Sequence, residues 1–350
     1  MENSLIKFED RVRKEKIEGE KVNRYSQYCD FVYYKSSVNP ELTLAMRILK
    51  PEKPSYIVAT THGWHMSISD FEEYDRPVSK YLEVEVDMRG RAFSDGKPDC
   101  NGYELYDIID AVEYVKKNYS EYLLSTDIVY FEAGSGGGGN AYALAGKFPD
   151  YFAAIVVLCG ISDYLLWYKN DKVGEFQDEL DVWIGSPKNT TAYASRSGIT
   201  MVKNLCAPLS IAHGKLDVRV PCYHAHNYID AANKANKGNL IKYWEIPDVG
   251  GADHWTNGTP EFFEKLDKFR RDNLICHTTP VNIPEKGKMV ICGYLVTRHF
   301  SIFLNSVDDI ATLSYDLKNN IISVSGVPEG SYKITVNNDL LSHTSHLAYD

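Results

Sequence analysis

The stretch DIVYFEAGSGGGGNAYALAGKFPDYF, residues 127–152, decides the fold. Its apolar opening, DIVYFEA (127–133), reads as a strand, and the residues from Gly139 to Lys147 read as a helix. Between them Ser135 stands on a sharp turn, with Ala133 two residues before it and Gly137 two after. A nucleophile on a strand-to-helix turn needs small neighbours, because adjacent backbone leaves no room for larger side chains. Gly136 follows the serine, where its N–H can face a developing oxyanion. The rival reading is a loop that cradles phosphate at a helix start. Such a loop would close on Gly-Lys-Ser/Thr, and here the run ends Gly139-Asn140. A dinucleotide fingerprint belongs to the first strand of its domain, whereas this is about the fifth.

Outward from this turn, residues from about 25 to 275 alternate strand-like apolar runs with amphipathic helical stretches, the pattern of a mostly parallel sheet covered by helices. The expected strands are 29–36, 42–49, 55–62, 81–88, 127–133, 152–159, 208–214 and 241–247. Helices are expected over 103–118, 139–147, 223–235 and 260–271, the last opened by Thr259-Pro260 as cap and first-turn proline. Residues 164–200 interrupt the alternation and read as a cap inserted after the sixth strand. Beyond the Pro/Gly linker TTPVNIPEKGK (278–288), short alternating runs predict a small β-sandwich-like module over 285–350, with the catalytic domain ending near 277.

The elbow resembles that of the α/β-hydrolase superfamily. Ala141, Ala145 and Pro149 also fall where its members carry small residues and a proline, although Ala133 replaces the usual glycine. The likeness covers roughly residues 25–275, and implies an eight-stranded, mostly parallel sheet with helices on both faces. It further implies the chain order Ser, then Asp/Glu, then His. APLSIAHGKLDVRVP (207–221) resembles the segment of prolyl-oligopeptidase-like and related esterases that presents the acid, here Asp217. IPDVGGADHW (246–255) carries His254 in a Gly-rich loop after a strand. Asp217 would orient the imidazole that takes the Ser135 proton, with Asp163 as the rival acid. By the same resemblance, TTHGWHMS (60–67) lends the Trp64 N–H as a second oxyanion donor beside Gly136, with His62 bracing the loop. In VDMRGRAFSDG (86–96), Asp87 and Arg89 are expected to hold loops together rather than to bind substrate.

Trp255 adjoins His254, and Trp167 and Trp183 sit in the cap, so all three are candidate substrate-binding aromatics. The close pairs His62/His65 and His224/His226 read as lacking a thiol or carboxylate at helical ligand spacing, and no metal or other cofactor is expected. A formal charge of −10 argues against nucleic acid as a partner. No run of about 18 apolar residues exists to span a bilayer. The charged N-terminus has no secretory h-region, and seven unpatterned cysteines read as reduced thiols; a cytoplasmic location is expected.

The expected reaction is two-step acyl transfer to water on a small-molecule ester, with elements resembling acetyl-xylan-type and other carbohydrate esterases. One alternative is a prolyl-oligopeptidase-like peptidase or amidase. A propeller is not expected ahead of the fold, and EFQDELD (175–181) is the stretch that could grip a substrate amino terminus. Another alternative is a non-catalytic binding protein on the same fold.

Overall fold

The computed structural model describes residues 16–17, 19–77, 79–171 and 176–336. Its first sheet is built from β1 (Arg24–Tyr25), β2 (Cys29–Lys35), β3 (Thr43–Leu49), β4 (Ile57–Thr61), β5 (Leu82–Asp87), β6 (Val129–Gly134), β7 (Ala154–Leu158), β8 (Leu209–Asp217) and β9 (Ile241–Gly251). The strand order is β1-β2-β3-β5-β4-β6-β7-β8-β9. Strands β5, β4 and β6 to β9 run parallel, and β1 to β3 form an antiparallel edge. All eight expected strands are present; the ninth, β1, is a two-residue edge strand too short to leave a periodic signal. Inner strands such as β7 (AIVVL) are apolar at every position because helices cover both faces.

Helix α1 (Leu105–Asn118) buries Ile108, Ala111, Val112 and Val115 on one side, as its spacing predicts. The next helix, α2, spans Ser135–Lys147 and so begins at the serine itself, four residues earlier than expected. Glycine disfavours helix in isolation, but packing overrides that preference here. A Cβ on Gly138 would lie 2.6 Å from Gly160 Cα, and one on Gly137 would lie 2.8 Å from Ala133 Cβ.

The insertion folds as α3 (Tyr164–Asn170), α4 (Gln177–Trp183) and α5 (Thr190–Arg196), followed by a 3-10 turn at Gly198–Asn204. Its own small core gathers Trp167, Phe176, Leu180, Ile184 and Tyr193. Helices α6 (Tyr223–Lys234) and α7 (Pro260–Ile275) flank the last two strands. Thr259 caps α7 by accepting from Phe262 N, and Pro260 occupies its first turn. No helix among the described residues is long and apolar enough to cross a membrane, and all seven cysteines are free thiols.

The C-terminal strands are β10 (Lys286–Cys292), β11 (Tyr294–Val296), β12 (Phe300–Leu304), β13 (Ile310–Asp316), β14 (Ile321–Ser325) and β15 (Tyr332–Val336). Where a sandwich-like pair of layers was expected, hydrogen bonds join all six into one antiparallel sheet, ordered β14-β13-β10-β11-β12-β15. The chain turns between β10 and β11 at Gly293, whose φ of 72° suits glycine. The module packs against the hydrolase sheet's helices. Tyr294 is fully buried in the main core, stacks on Tyr103 and donates to Gly102 O at 2.8 Å. Asn204 exchanges two hydrogen bonds with the Val290 backbone, and Arg196 reaches Val307 O and Asp308.

Candidate functional site

Parallel strands deliver their C-terminal ends to one edge of the sheet, and the expected site residues lie along it. Ser135, Cys159, Asp217 and His254 stand at or just beyond the ends of β6, β7, β8 and β9, which are neighbours in that order. Ser135 has φ of 56°, a left-handed conformation that is uncommon for a residue with a side chain. It is held there because Gly134 pairs with Leu158 behind it while the helix departs ahead. His254 is also left-handed, with φ of 70°.

Asp217 and His254 meet directly: Nδ1 of the imidazole lies 2.6 Å from Asp217 Oδ2. The other carboxylate oxygen accepts from the backbone N–H groups of Arg219 at 3.0 Å and Val220 at 2.8 Å. Two main-chain donors and one imidazole therefore hold both oxygens of a buried acid and fix its plane. The rival acid, Asp163, instead caps α3 by accepting from Leu166 N. Asp253 accepts from Thr256 Oγ1 and Trp255 N within its own loop. His213 donates through Nε2 to Val220 O at 2.7 Å, and burial lowers its pKa.

On the other side of the serine, Gly136 and Trp64 lie backbone to backbone. A Cβ at Gly136 would meet Trp64 N at 2.6 Å, so only glycine allows the two chains this approach. His62 accepts at Nε2 from Met88 N and lies 2.9 Å from Gly63 O through Nδ1, and burial drives its pKa down to about 3. It is a neutral brace for the loop. Arg89 forms a buried ion pair with Asp107 at 2.6 Å and donates to Tyr103 O and Asn39 Oδ1. Asp87 takes hydrogen bonds from Ser67, Ile68 N and Phe93 N. Both side chains hold loops together, as read from the sequence.

A small cavity of about 20 Å³ opens beside Gly136 and Trp64, with Arg91, Glu104, Tyr164 and Trp183 among its walls. Of the three tryptophans expected at substrate, only Trp183 lines it. Trp167 is 3% exposed, stacks on Phe176 and donates to Arg219 O, which makes it cap core. Trp255 packs against Phe262 in a separate cluster behind the His254 loop. Glu179 of α4 accepts from Trp64 Nε1 at 2.5 Å and lies 2.6 Å from His65 Nε2. Glu175, in the same acidic stretch, lies outside the described residues. Arg91 carried too little local pattern to stand out in the sequence, since its place depends on the cap above it; Glu179 fell within the acidic stretch 175–181, where its contact with the loop below left no local signal. The expectation about metal ligands also missed a residue: Cys222 precedes His226 by four positions at the start of α6.

Residues 86–268, just over half of the chain, match the family model described as the prolyl oligopeptidase family. No curated protein sequence matches the chain. Among solved structures, an acylaminoacyl peptidase from Pyrococcus horikoshii superposes with a TM-score of 0.58 at 19% identity, over 73% of this chain and 42% of the peptidase. An esterase from Pyrococcus furiosus gives 0.53 at 14% identity, covering 75% of this chain and 98% of the esterase. A puromycin-hydrolyzing peptidase from Mycobacterium tuberculosis gives 0.51 at 16%, over 66% and 37%. The chain thus spans less than half of the peptidases it resembles. The sheet order, the elbow and the matched residues together make this chain, with its α/β-hydrolase fold, a member of the prolyl oligopeptidase family.

Proposed function

We propose that the protein is a serine hydrolase that cleaves carboxylic esters with short acyl groups, acetylated carbohydrate-type esters among them. Ser135 attacks the ester carbonyl while His254 takes its proton, and Asp217 stabilises the imidazolium. The N–H groups of Gly136 and Trp64 hold the oxyanion, each such donor contributing about 3–4 kcal/mol in the transition state. The alcohol leaves with the proton from His254, and water then hydrolyses the acyl-enzyme by the same groups in reverse.

The observation that carries this reading is the pairing of two features on one sheet edge. One is a left-handed Ser135 among glycines, and the other is the Asp217–His254 hydrogen bond of 2.6 Å. Short acyl groups are favoured by the narrow cleft beside Gly136, which Tyr164, Trp183 and the charged side chains of Arg91 and Glu104 wall in. Glu179 already serves Trp64 and His65, which weighs against its gripping a peptide amino terminus.

The test is turnover of p-nitrophenyl acetate, butyrate and octanoate beside aminoacyl p-nitroanilides, with a fluorophosphonate label on wild type and Ser135→Ala. Wild type should label and prefer acetate over octanoate by roughly 10-fold or more in kcat/KM. The mutant should lose the label and roughly 10⁶-fold in rate. Anilides turned over faster than acetate would replace the esterase reading with the peptidase. No label and no turnover would favour a binding protein.

A further inference from the structure

We propose that Cys222, His226 and Glu245 form a zinc-binding site, distinct from the hydrolytic centre and stapling helix α6 to strand β9. Cys222 is the residue before α6 and His226 lies one turn on, so both side chains project from the same side of the helix start. Glu245 comes from β9, in register with His213 of β8. The three donor atoms, a thiol sulfur, an imidazole nitrogen and a carboxylate oxygen, all lie within 4.8 Å of one another. His226 Nε2 and Glu245 Oε2 are 2.6 Å apart.

Two further side chains approach these three atoms: Lys215 Nζ lies 3.8 Å from Glu245 Oε1 on an exposed stem that is free to turn towards solvent, and a tyrosine holds the other oxygen. Tyr243 donates to Glu245 Oε2 at 3.0 Å, which orients the carboxylate as an outer partner does in metal sites. Bonds of about 2.0–2.3 Å to a tetrahedral zinc would hold ligand atoms roughly 3.3–3.8 Å apart. His226 and Glu245 would therefore separate by about 1 Å, which their partial exposure permits. Sulfur, nitrogen and oxygen together select zinc over the hard cations, which take oxygen alone. One thiolate and one carboxylate neutralise the ion, water completes the fourth position, and binding releases the thiol proton to solvent.

The position gives the site its consequence. Cys222 lies five residues beyond Asp217, on the loop whose N–H groups fix that carboxylate. Strand β9 continues from Glu245 towards His254. A metal joining Cys222 to Glu245 would tie together the two segments that supply the acid and the base. Metal loading should raise thermal stability, independently of which substrate the enzyme cleaves.

The test uses the full chain, stripped with chelator and titrated with Zn²⁺ and with Co²⁺ as a spectroscopic probe. Expected are about one equivalent of tightly bound zinc, a melting temperature several degrees above that of the stripped protein, and a cobalt–thiolate charge-transfer band. Cys222→Ser should abolish the band, and His226→Ala should reduce stoichiometric zinc to background. Cys276→Ser, at an exposed thiol beside His277, should change neither. Absence of binding, or a band that survives in Cys222→Ser, overturns the proposal. His226→Ala serves as the second arm should Cys222→Ser fold poorly, and zinc bound stoichiometrically by that variant overturns it equally.

Discussion

At Asp217 the carboxylate has one oxygen on the His254 imidazole and the other on two backbone N–H groups. The amide of Asp217→Asn would present an N–H to one of these partners and leave an imidazole in the wrong tautomer. A loss of roughly 10⁴ in kcat with a nearly unchanged melt is expected from steady-state kinetics and calorimetry. The glycines of α2 answer to a different constraint. Gly138→Ala would push a methyl group to 2.6 Å from Gly160 Cα, where the neighbour is backbone and has little freedom to move. Denaturant melts should show about 1–3 kcal/mol of destabilisation. The placement of Ser135, Asp217 and His254 at strand ends was legible because each lies in a short motif that follows a strand, in a recognisable order. Trp167 and Trp255 were not, because an aromatic beside a site and an aromatic in a core have the same sequence signal.

The elements that meet at the cavity come from distant parts of the chain. Helix α4 of the cap reaches the loop after β4 through one side chain, Glu179, which holds both Trp64 Nε1 and His65 Nε2. Aromatic contacts reinforce the junction: Trp64 lies 4.9 Å from both Trp167 and Trp183 between ring centroids. Because the Trp64 N–H belongs to the proposed oxyanion hole, loosening its side chain should misplace the donor. Glu179→Ala is expected to lower kcat by roughly 10-fold or more with a smaller effect on KM. Asp181→Ala, on the exposed side of the same helix, should leave both nearly unchanged. Equal losses in the two variants would mean that the cap acts as a whole and not through this contact. The cap was readable as an interruption of the βα alternation, yet its contact with the loop joins residues more than a hundred positions apart.

Across the whole molecule the C-terminal module keeps a core of its own around Ile291, Leu295, Phe300 and Leu313, while its Cys292 and Tyr294 enter the core of the hydrolase sheet. Lys147 lies at their junction, fully buried, with its ammonium 4.4 Å from the Tyr294 ring centroid and without a hydrogen-bond partner among the described residues. Burial brings its pKa down to about 7 from an ordinary 10.5. The unfolded chain therefore binds more protons between those two values, and stability should rise with pH across that window. Below pH 7 the whole penalty applies. Lys147→Met should stabilise the protein by about 1–3 kcal/mol at pH 7, with the gain shrinking towards pH 10 in thermal melts followed at each pH. A gain that does not depend on pH would assign the effect to packing alone.

The sequence by itself determined the α/β-hydrolase architecture, the elbow and the identity of its acid and base candidates. These rest on local signals: apolar periodicity, small residues at a turn and short motifs at strand ends. Only the tertiary structure decided that Asp163 is a helix cap, that Trp183 alone among the three tryptophans lines the cavity, and that the β module is fused to the core. It also decided that Cys222 and His226 face Glu245. Each of these depends on side chains brought together by sheet order and packing, and the physical reason they stay hidden is that contact across a fold leaves no periodicity along the chain.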